Sequence, residues 1–148
     1  MVGLGKTYLA CAVGRSVCKA GFVVRYERLS SLLHRIRQAH GQGSWPDLLR
    51  WLSHIELLVI DDWLRDPVTP SQARDLAEIL DDRYQSASTL LATQVPVADW
   101  HARLGDQDAA DGILDRIIHN AYRIDMKGES QRKLRSALPI PVTPEAQP

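Results

Sequence analysis

Four residues near the start of the chain could together hold a phosphate group. Gly3, Gly5, Lys6 and Thr7 lie in the stretch "VGLGKTYLA", directly before a segment with apolar residues at helical spacing. Glycines let a backbone wrap closely around an anion, a lysine neutralises phosphate oxygens, and a threonine hydroxyl can bind Mg²⁺. Only the first glycine of the pattern G-x-x-x-x-G-K-[ST] is missing, since it would precede Met1. The alternative is a glycine turn before a helix, with the lysine in solvent.

A pair of carboxylates follows an apolar run later in the chain. The stretch "ELLVIDD" ends in Asp61 and Asp62, and its nearly continuous apolar run is typical of a buried parallel strand. Asp61 at the carboxyl end of that strand would orient Mg²⁺ or its waters, and Asp62 could polarise an attacking water. The alternative is two acids that merely face solvent. The order of the two motifs, each at a strand or helix end where α/β folds bind ligands, favours a site.

Another polar pair ends the next apolar run. The stretch "TLLATQ" predicts a buried strand beside the one that ends in Asp61. At its tip, Thr93 or Gln94 could contact a γ-phosphate or the attacking water. Polar residues commonly end strands, so this pattern alone does not establish a catalytic role.

These residues need a scaffold, and the apolar periodicity predicts one. Helices are expected over 7–21, 30–40, 44–55, 69–87, 97–105 and 109–121, and strands over 22–26, 56–62, 89–94 and 122–128. Such alternation predicts an α/β fold, with a parallel sheet and helices on both of its faces. The sequence contains no strand before the phosphate-binding loop.

Composition narrows the class of protein further. The 148 residues suit one domain, and 18 basic residues balance 18 acidic ones, so bulk charge does not indicate nucleic acid or a membrane as a partner. No apolar run approaches the roughly 20 residues of a membrane helix. Cys11 and Cys18 are expected to be reduced in a cytoplasmic protein, and the five scattered histidines give little support to a metal cluster.

Residues 137–148 are proline-rich and are expected to be a disordered tail after a domain of residues 1–136.

Several stretches together resemble one known family. The stretches "GLGKTYLACAVG", "LLVIDDW", "STLLATQVPVADWH" and "GILDRIIHNAYRIDMKGES" are similar to the IstB/DnaC-like branch of the AAA+ ATPases. The resemblance runs from Met1 to about Arg135, and its last two blocks are more specific than the phosphate-loop and carboxylate motifs. It implies a P-loop NTPase fold of the AAA+ type, a three-layer αβα sandwich around a parallel sheet. The strand that normally precedes the phosphate loop would be lacking.

The resemblance also implies ATP and Mg²⁺ as cofactors and assigns roles to particular residues. Arg116 matches the arginine finger that reaches the ATP of a neighbouring subunit, although it could instead pair with Asp115 or Asp111 on the helix surface. Arg83 matches a recurrent arginine that would face the subunit interface or, alternatively, be an exposed helix-end charge. Thr7 and Asp61 would hold Mg²⁺, while Asp62, Thr93 and Arg116 would be catalytic. Nucleotide contacts would come from Gly3, Leu4, Gly5, Lys6, Thr7, Tyr8 and the sensor residue Arg132.

The implied partners are double-stranded DNA, the transposase of the same insertion sequence and further copies of the chain. Arginines and lysines that could contact DNA are Arg25, Arg28, Arg35, Arg37, Lys127, Arg132, Lys133 and Arg135. Trp45, Trp51, Trp63 and Trp100 could stack on bases, but packing in the core or at an interface is favoured.

Three functions stay open on these grounds. The first is an insertion-sequence helper ATPase, and the second is a DnaC-like loader of the replicative helicase. The third is an inactive remnant, because the absent strand would lie between those carrying "LLATQ" and "YRIDM" and leave their backbone groups unpaired. In that case the chain is expected to be weakly folded or to associate through its open sheet edges.

Overall fold

The structure, a computed structural model, describes residues 5–118 and 121–126. Its elements in chain order are α1 (Lys6–Lys19), β1 (Val24–Arg28), α2 (Leu29–Gln42), α3 (Trp45–Ser53), β2 (Leu57–Asp61), α4 (Pro70–Arg83), β3 (Ser88–Leu91), a short 3₁₀ turn (Val97–Asp99), α5 (Trp100–Leu104) and α6 (Gln107–Ile118). In the described part of the chain no helix is long and apolar enough to cross a membrane.

The three strands form one parallel sheet in the order β1-β2-β3. Arg28 of β1 pairs with Asp61 of β2, and Leu57 of β2 pairs with Ser88 of β3. Every residue of β2 is buried, as expected for the central strand of a sheet covered on both faces. The α/β class with a parallel sheet is therefore confirmed.

Alternate residues of β2 belong to two separate apolar cores. Leu57 and Val59 pack with Ala10 of α1 on one face of the sheet. Leu58 and Ile60 point to the other face, because successive strand side chains alternate. The larger core on that face also includes Leu32, Ile36, Leu52, Trp63, Leu76, Ile79, Trp100, Leu104 and Ile113. The molecule thus has the expected three layers, with α1 alone on one side in the described residues.

Helix α1 lies close to the sheet because it carries a glycine at the contact. A Cβ built on Gly14 would lie 3.4 Å from Cγ1 of Val24 in β1, so a methyl group would already be in van der Waals contact with the strand. This contact joins the second half of α1 to the first residue of β1. Because α1 packs along both β1 and β2, its amino end lies beside the carboxyl end of β2, where Thr7 contacts Asp61.

Helix α4 has a side-chain cap at its amino end, whereas α3 does not. The sequence suggests a cap for both helices. Thr69 accepts a hydrogen bond from the backbone N–H of Gln72, whose side chain accepts one from the N–H of Thr69, so α4 begins with a complete capping box. Pro70 occupies the first helical position, as predicted. Ser44 stands at the corresponding position of α3, but its side chain makes no capping hydrogen bond.

The strand predicted over 122–128 is wrong in its described part. Residues 121–126 have no strand structure, and Tyr122 and Ile124 are exposed. A strand needs neighbouring backbone groups to pair with, and no described strand lies beyond β3 to supply them. The remaining two residues of the prediction lie outside the described residues.

Arg83 is the last residue of α4, as one expectation had it, but it is buried and therefore faces neither solvent nor a subunit interface. Its side chain is only 1% exposed, and its guanidinium donates to the carbonyls of Leu52, Ile55 and Ser88 and to the hydroxyl of Thr89. Burial lowers the pKa of Arg83 to about 10. These partners precede β2 or begin β3, so Arg83 lies at the amino edge of the sheet, opposite the edge where Asp61 ends β2.

Candidate functional site

The first turn of α1 and the last residue of β2 meet at the carboxyl edge of the sheet. The hydroxyl of Thr7 donates a 2.7 Å hydrogen bond to Oδ2 of Asp61. The two residues are 54 positions apart, so this contact depends on α1 packing across β1 and β2. The structure thus places the phosphate-loop motif and the first carboxylate of the later motif side by side.

Asp61 is held by three donors. Oδ2 also accepts a 2.7 Å hydrogen bond from the hydroxyl of Tyr26, and Oδ1 accepts one of 2.8 Å from the backbone N–H of Asp62. The residue is 5% exposed. Burial alone would raise the pKa of Asp61, but the hydrogen bonds from Tyr26, Thr7 and Asp62 outweigh it and hold the pKa below its ordinary value. The carboxylate is therefore ionised at neutral pH.

Tyr26 belongs to this site, although nothing in the sequence analysis assigned it a role. Burial, followed by the hydrogen bond to Asp61, raises the pKa of Tyr26 to about 12, so its hydroxyl remains a donor at neutral pH. In the register of β1 with β2, Tyr26 is opposite Val59 and Arg28 is opposite Asp61. Since side chains alternate along strands, all four lie on the face covered by α1. The alternation of side chains along β1 could have identified Tyr26 as a site residue only if the pairing register of β1 with β2 had been known.

The amino end of α1 has the features of an anion site. Gly5 is the N-cap residue with φ 84°, a left-handed conformation that favours glycine. No side chain of the described residues caps this end, and the first turn contains no acid. The N–H groups of a first helical turn point outward along the helix axis, and together with the helix dipole they favour a negative group here. Lys6, half-buried, begins the helix at this point.

Asp62 also lies at this edge, in a left-handed backbone conformation with φ 55°. This conformation is uncommon for a residue with a side chain and is often found at functional sites. Its carboxylate is paired with Arg65, at 3.2 Å from Oδ2 to Nη1. Asp62 is about one-third exposed and follows the metal-site candidate Asp61 directly, which suits a residue that would meet water.

Thr93 lies at the same edge but directs its hydroxyl into the protein. It donates a 2.7 Å hydrogen bond to the carbonyl of Trp63 and accepts one from the N–H of Val95. These bonds tie the segment after β3 to the segment after β2. To donate a hydrogen bond to a phosphate, the Thr93 hydroxyl would have to give up its hydrogen bond to the carbonyl of Trp63. Gln94 is exposed.

Arg116 of α6 contacts three side chains within the described part of its own chain. Its Nε donates a 2.6 Å hydrogen bond to Asp81 of α4, Nη1 is 3.3 Å from Asp115, and the guanidinium lies 5.7 Å from the ring centroid of Tyr84. The hydrogen bond and charge of Asp81 raise the pKa of Arg116. The pairing with Asp115 is one of the alternatives to the arginine-finger role that the sequence left open, and Asp81 is an additional partner that the sequence did not indicate.

Four predicted nucleotide-contact residues remain, of which the structure describes only Tyr8. Tyr8 is exposed in the first turn of α1. Gly3, Leu4 and Arg132 lie outside the described residues, as do the DNA-contact candidates Lys127, Lys133 and Arg135.

A second surface is formed by an aromatic ring between two arginines. The guanidinium carbons of Arg25 and Arg35 lie 5.6 and 5.3 Å from the ring centroid of Trp51. Both arginines also bind Oε1 of Glu27, at 2.7 and 2.8 Å, and the Glu27 side chain is almost fully buried. Two cations share one carboxylate, so this group of Arg25, Arg35, Trp51 and Glu27, called the Trp51 surface below, carries an excess positive charge.

Trp63 and Trp100 are buried, as favoured from the sequence.

The side chains present fit a magnesium ion. The Thr7 hydroxyl and the Asp61 carboxylate offer the hard oxygen ligands that Mg²⁺ prefers, directly or through water. The described residues contain no cluster of three or more His, Cys, Asp or Glu suited to a metal. Mg²⁺ characteristically binds through one or two protein ligands together with substrate phosphates and water.

The sequence is similar to those of known proteins. A family model described as IstB-like ATP binding protein matches residues 1–138. A protein of Sinorhizobium fredii, named as an insertion sequence ATP-binding protein, is 44% identical over 131 residues, which are 88% of this chain and 54% of that protein. A protein of Pseudomonas aeruginosa, named as an ATP-binding protein of insertion sequence IS21, is 33% identical over 130 residues, 88% of this chain and 49% of that protein. The chain thus spans about half the length of these relatives.

Solved structures share the fold at lower identity. AMPPCP-bound DnaA from Aquifex aeolicus has a TM-score of 0.67 and 18% identity, over 78% of this chain and 36% of that chain. The DnaC helicase loader has a TM-score of 0.63 and 21% identity, over 78% of this chain and 70% of that chain. These likenesses confirm an α/β P-loop fold of the AAA+ type.

Proposed function

The chain belongs to the family of IstB-like ATP-binding proteins, and we propose that it binds ATP with Mg²⁺ where α1 meets the end of β2. The observation that carries this proposal is the hydrogen bond between Thr7 and Asp61, which joins the two halves of a nucleotide-metal site. The phosphates would lie against the amino end of α1, with Lys6 near their oxygens. When bound, Mg²⁺ would offset the charge of the phosphates and bring their oxygens close to Thr7 and Asp61.

We further propose that the protein hydrolyses ATP. Asp62 follows Asp61 at the same edge, is in part exposed and would orient the attacking water. Arg116 would act on the nucleotide of a neighbouring subunit, where a permanent charge suits phosphate oxygens. It would have to leave Asp81, whose exposed ion pair is of a kind that contributes little to stability.

Calorimetric titration of ATP with Mg²⁺ into the 148-residue chain tests nucleotide binding. Saturable binding is expected, and Lys6→Ala should abolish it. Lys19→Ala provides a matched control, because this exposed lysine lies at the opposite end of the same helix. Equal binding by the wild type and Lys6→Ala would overturn the proposed site, and a folded wild type that binds no nucleotide would favour an inactive remnant.

We also propose that the Trp51 surface contacts the phosphate backbone of double-stranded DNA. Its two half-exposed arginines share one buried carboxylate, so one positive charge is left for a phosphate. Arg35→Ala should weaken duplex binding and lower the salt dependence by about one phosphate contact. Glu27→Gln should strengthen binding, because it removes the internal negative charge.

Arg37→Ala is the matched comparison for DNA binding, because Arg37 is a second DNA-contact candidate of α2 that lies outside the Trp51 surface. It carries the same charge on the same helix but is exposed and bonded to His34. If Arg35→Ala and Arg37→Ala weaken DNA binding equally, the Trp51 surface has no special role.

The insertion-sequence relatives support a helper ATPase that assists the transposase of the same element. They are up to 44% identical over most of the chain, whereas the likeness to the DnaC helicase loader, at 21% identity, shows the fold alone. A transposase gene beside the gene for this chain would support the helper function. Replication genes in that position would support the loader instead.

A further inference from the structure

We propose that Tyr26 is a positioning residue of the metal site, whose hydroxyl fixes the carboxylate of Asp61 so that Mg²⁺ strengthens nucleotide binding. This inference rests on the proposed function, because it concerns the same site. It adds a residue from β1 to a site otherwise built from α1 and β2.

The first support is that Tyr26 and Thr7 share one acceptor. Both hydroxyls donate to Oδ2 of Asp61 at 2.7 Å, while Oδ1 accepts from the N–H of Asp62. With both oxygens held, rotation of the carboxylate group is restricted. Groups that orient metal-ligating side chains in this way typically change metal affinity about 10- to 100-fold when removed.

The second support is that Tyr26 is itself firmly placed. It lies in the middle of β1, and its backbone is in register with Val59 of the buried strand β2. The Tyr26 residue is 38% exposed, but its hydroxyl donates a hydrogen bond to the carboxylate of Asp61. A strand residue is a more rigid support for a site than a loop residue.

The substitution Tyr26→Phe removes only the hydroxyl. ATP affinity is measured by calorimetry over a series of Mg²⁺ concentrations and in EDTA. We expect the affinity in EDTA to stay within about twofold of the wild type, and the Mg²⁺ concentration for half-maximal enhancement to rise about 10-fold or more. Tyr122→Phe is the matched control, since Tyr122 is fully exposed and should show no change.

A double-mutant cycle separates positioning from general packing. In an Asp61→Asn background, Tyr26→Phe should have no further effect on the Mg²⁺ dependence, because it acts through that carboxylate. Equal Mg²⁺ dependence of Tyr26→Phe and the wild type would overturn the inference, and so would a parallel loss with and without Mg²⁺. If the wild type itself shows no Mg²⁺-dependent binding, this inference and the proposed function both fail.

Discussion

Thr7 and Tyr26 donate hydrogen bonds of equal length, 2.7 Å, to the same oxygen of Asp61. One donor comes from the helix that covers the sheet and the other from the neighbouring strand. Three elements are thereby joined through one carboxylate at the carboxyl edge, where α/β proteins bind ligands. The arrangement also stabilises the ionised form of Asp61, which has a measurable consequence in the absence of any ligand.

The stability contributed by Asp61 should depend on pH. Its pKa in the folded chain lies below the ordinary value near 3.9, so the unfolded chain binds more protons between the two pKa values. The contribution is therefore complete above the ordinary pKa and is lost as pH falls through the folded one. Urea unfolding of the wild type and Asp61→Asn should differ most at neutral pH and converge below about pH 4. A difference that stays constant down to pH 3 would contradict this.

Replacing Arg83 should destabilise the fold strongly. Arg83→Ala leaves the buried carbonyls of Leu52 and Ile55 and the partly buried carbonyl of Ser88 without this donor, and it opens a cavity at the amino edge of the sheet. Each buried group left unpaired costs about 1–3 kcal/mol, so we expect a loss of about 3 kcal/mol or more in the free energy of unfolding. Urea denaturation measures this, and Arg37→Ala, on the exposed face of α2, should have a small effect. Equal losses for the two variants would show that Arg83 is not a structural support.

The capping box of α4 should contribute to stability, whereas the N-cap of α3 should contribute less. Thr69→Ala removes the hydrogen bond to Gln72 and should lower the free energy of unfolding by about 1 kcal/mol. Ser44→Ala removes a side chain that makes no capping bond, so its loss should be smaller. Thermal unfolding of the two variants compares them, and a larger loss for Ser44→Ala would contradict the assignment.

Subunit mixing tests the proposed action of Arg116 on a neighbouring nucleotide. Arg116→Ala should abolish ATP hydrolysis because the neighbouring nucleotide loses its arginine. Lys6→Ala should abolish it because the nucleotide no longer binds. A mixture should regain activity, since one subunit supplies Lys6 and the other Arg116. The unfolding midpoint of Arg116→Ala should stay near that of the wild type, because its ion pair with Asp81 is exposed. An active Arg116→Ala chain, or no activity in the mixture, would exclude this role.

The core strands and most helices could be predicted because their signals are local. The apolar run that forms β2 and the Thr69-Pro70 start of α4 each specify an element without reference to distant residues. Strand β1 was predicted two residues too early, since its later half contains Arg25, Glu27 and Arg28. Those charges suit a strand here because two arginines neutralise Glu27, one of them from α2.

The contacts that sequence could not supply are those set by register and packing. Tyr26 reaches Asp61 only because β1 pairs with β2 in one register. From the sequence alone Arg83 has the pattern of an exposed charge at a helix end, but the fold brings the carbonyl of Ile55, 28 residues away, and that of Ser88 at the start of β3 into contact with it. In the same way, the pairing of Arg116 with Asp81 depends on the packing of α6 against α4.

The most direct test of the central claim compares ATP binding with and without Mg²⁺ for the wild-type chain and Asp61→Asn. We predict that Mg²⁺ strengthens ATP binding by the wild type, and that Asp61→Asn loses most of this enhancement while it still binds ATP weakly in EDTA. If Mg²⁺ strengthens ATP binding equally in both proteins, Asp61 and Thr7 do not form the metal site, and the account given for this edge of the sheet is wrong.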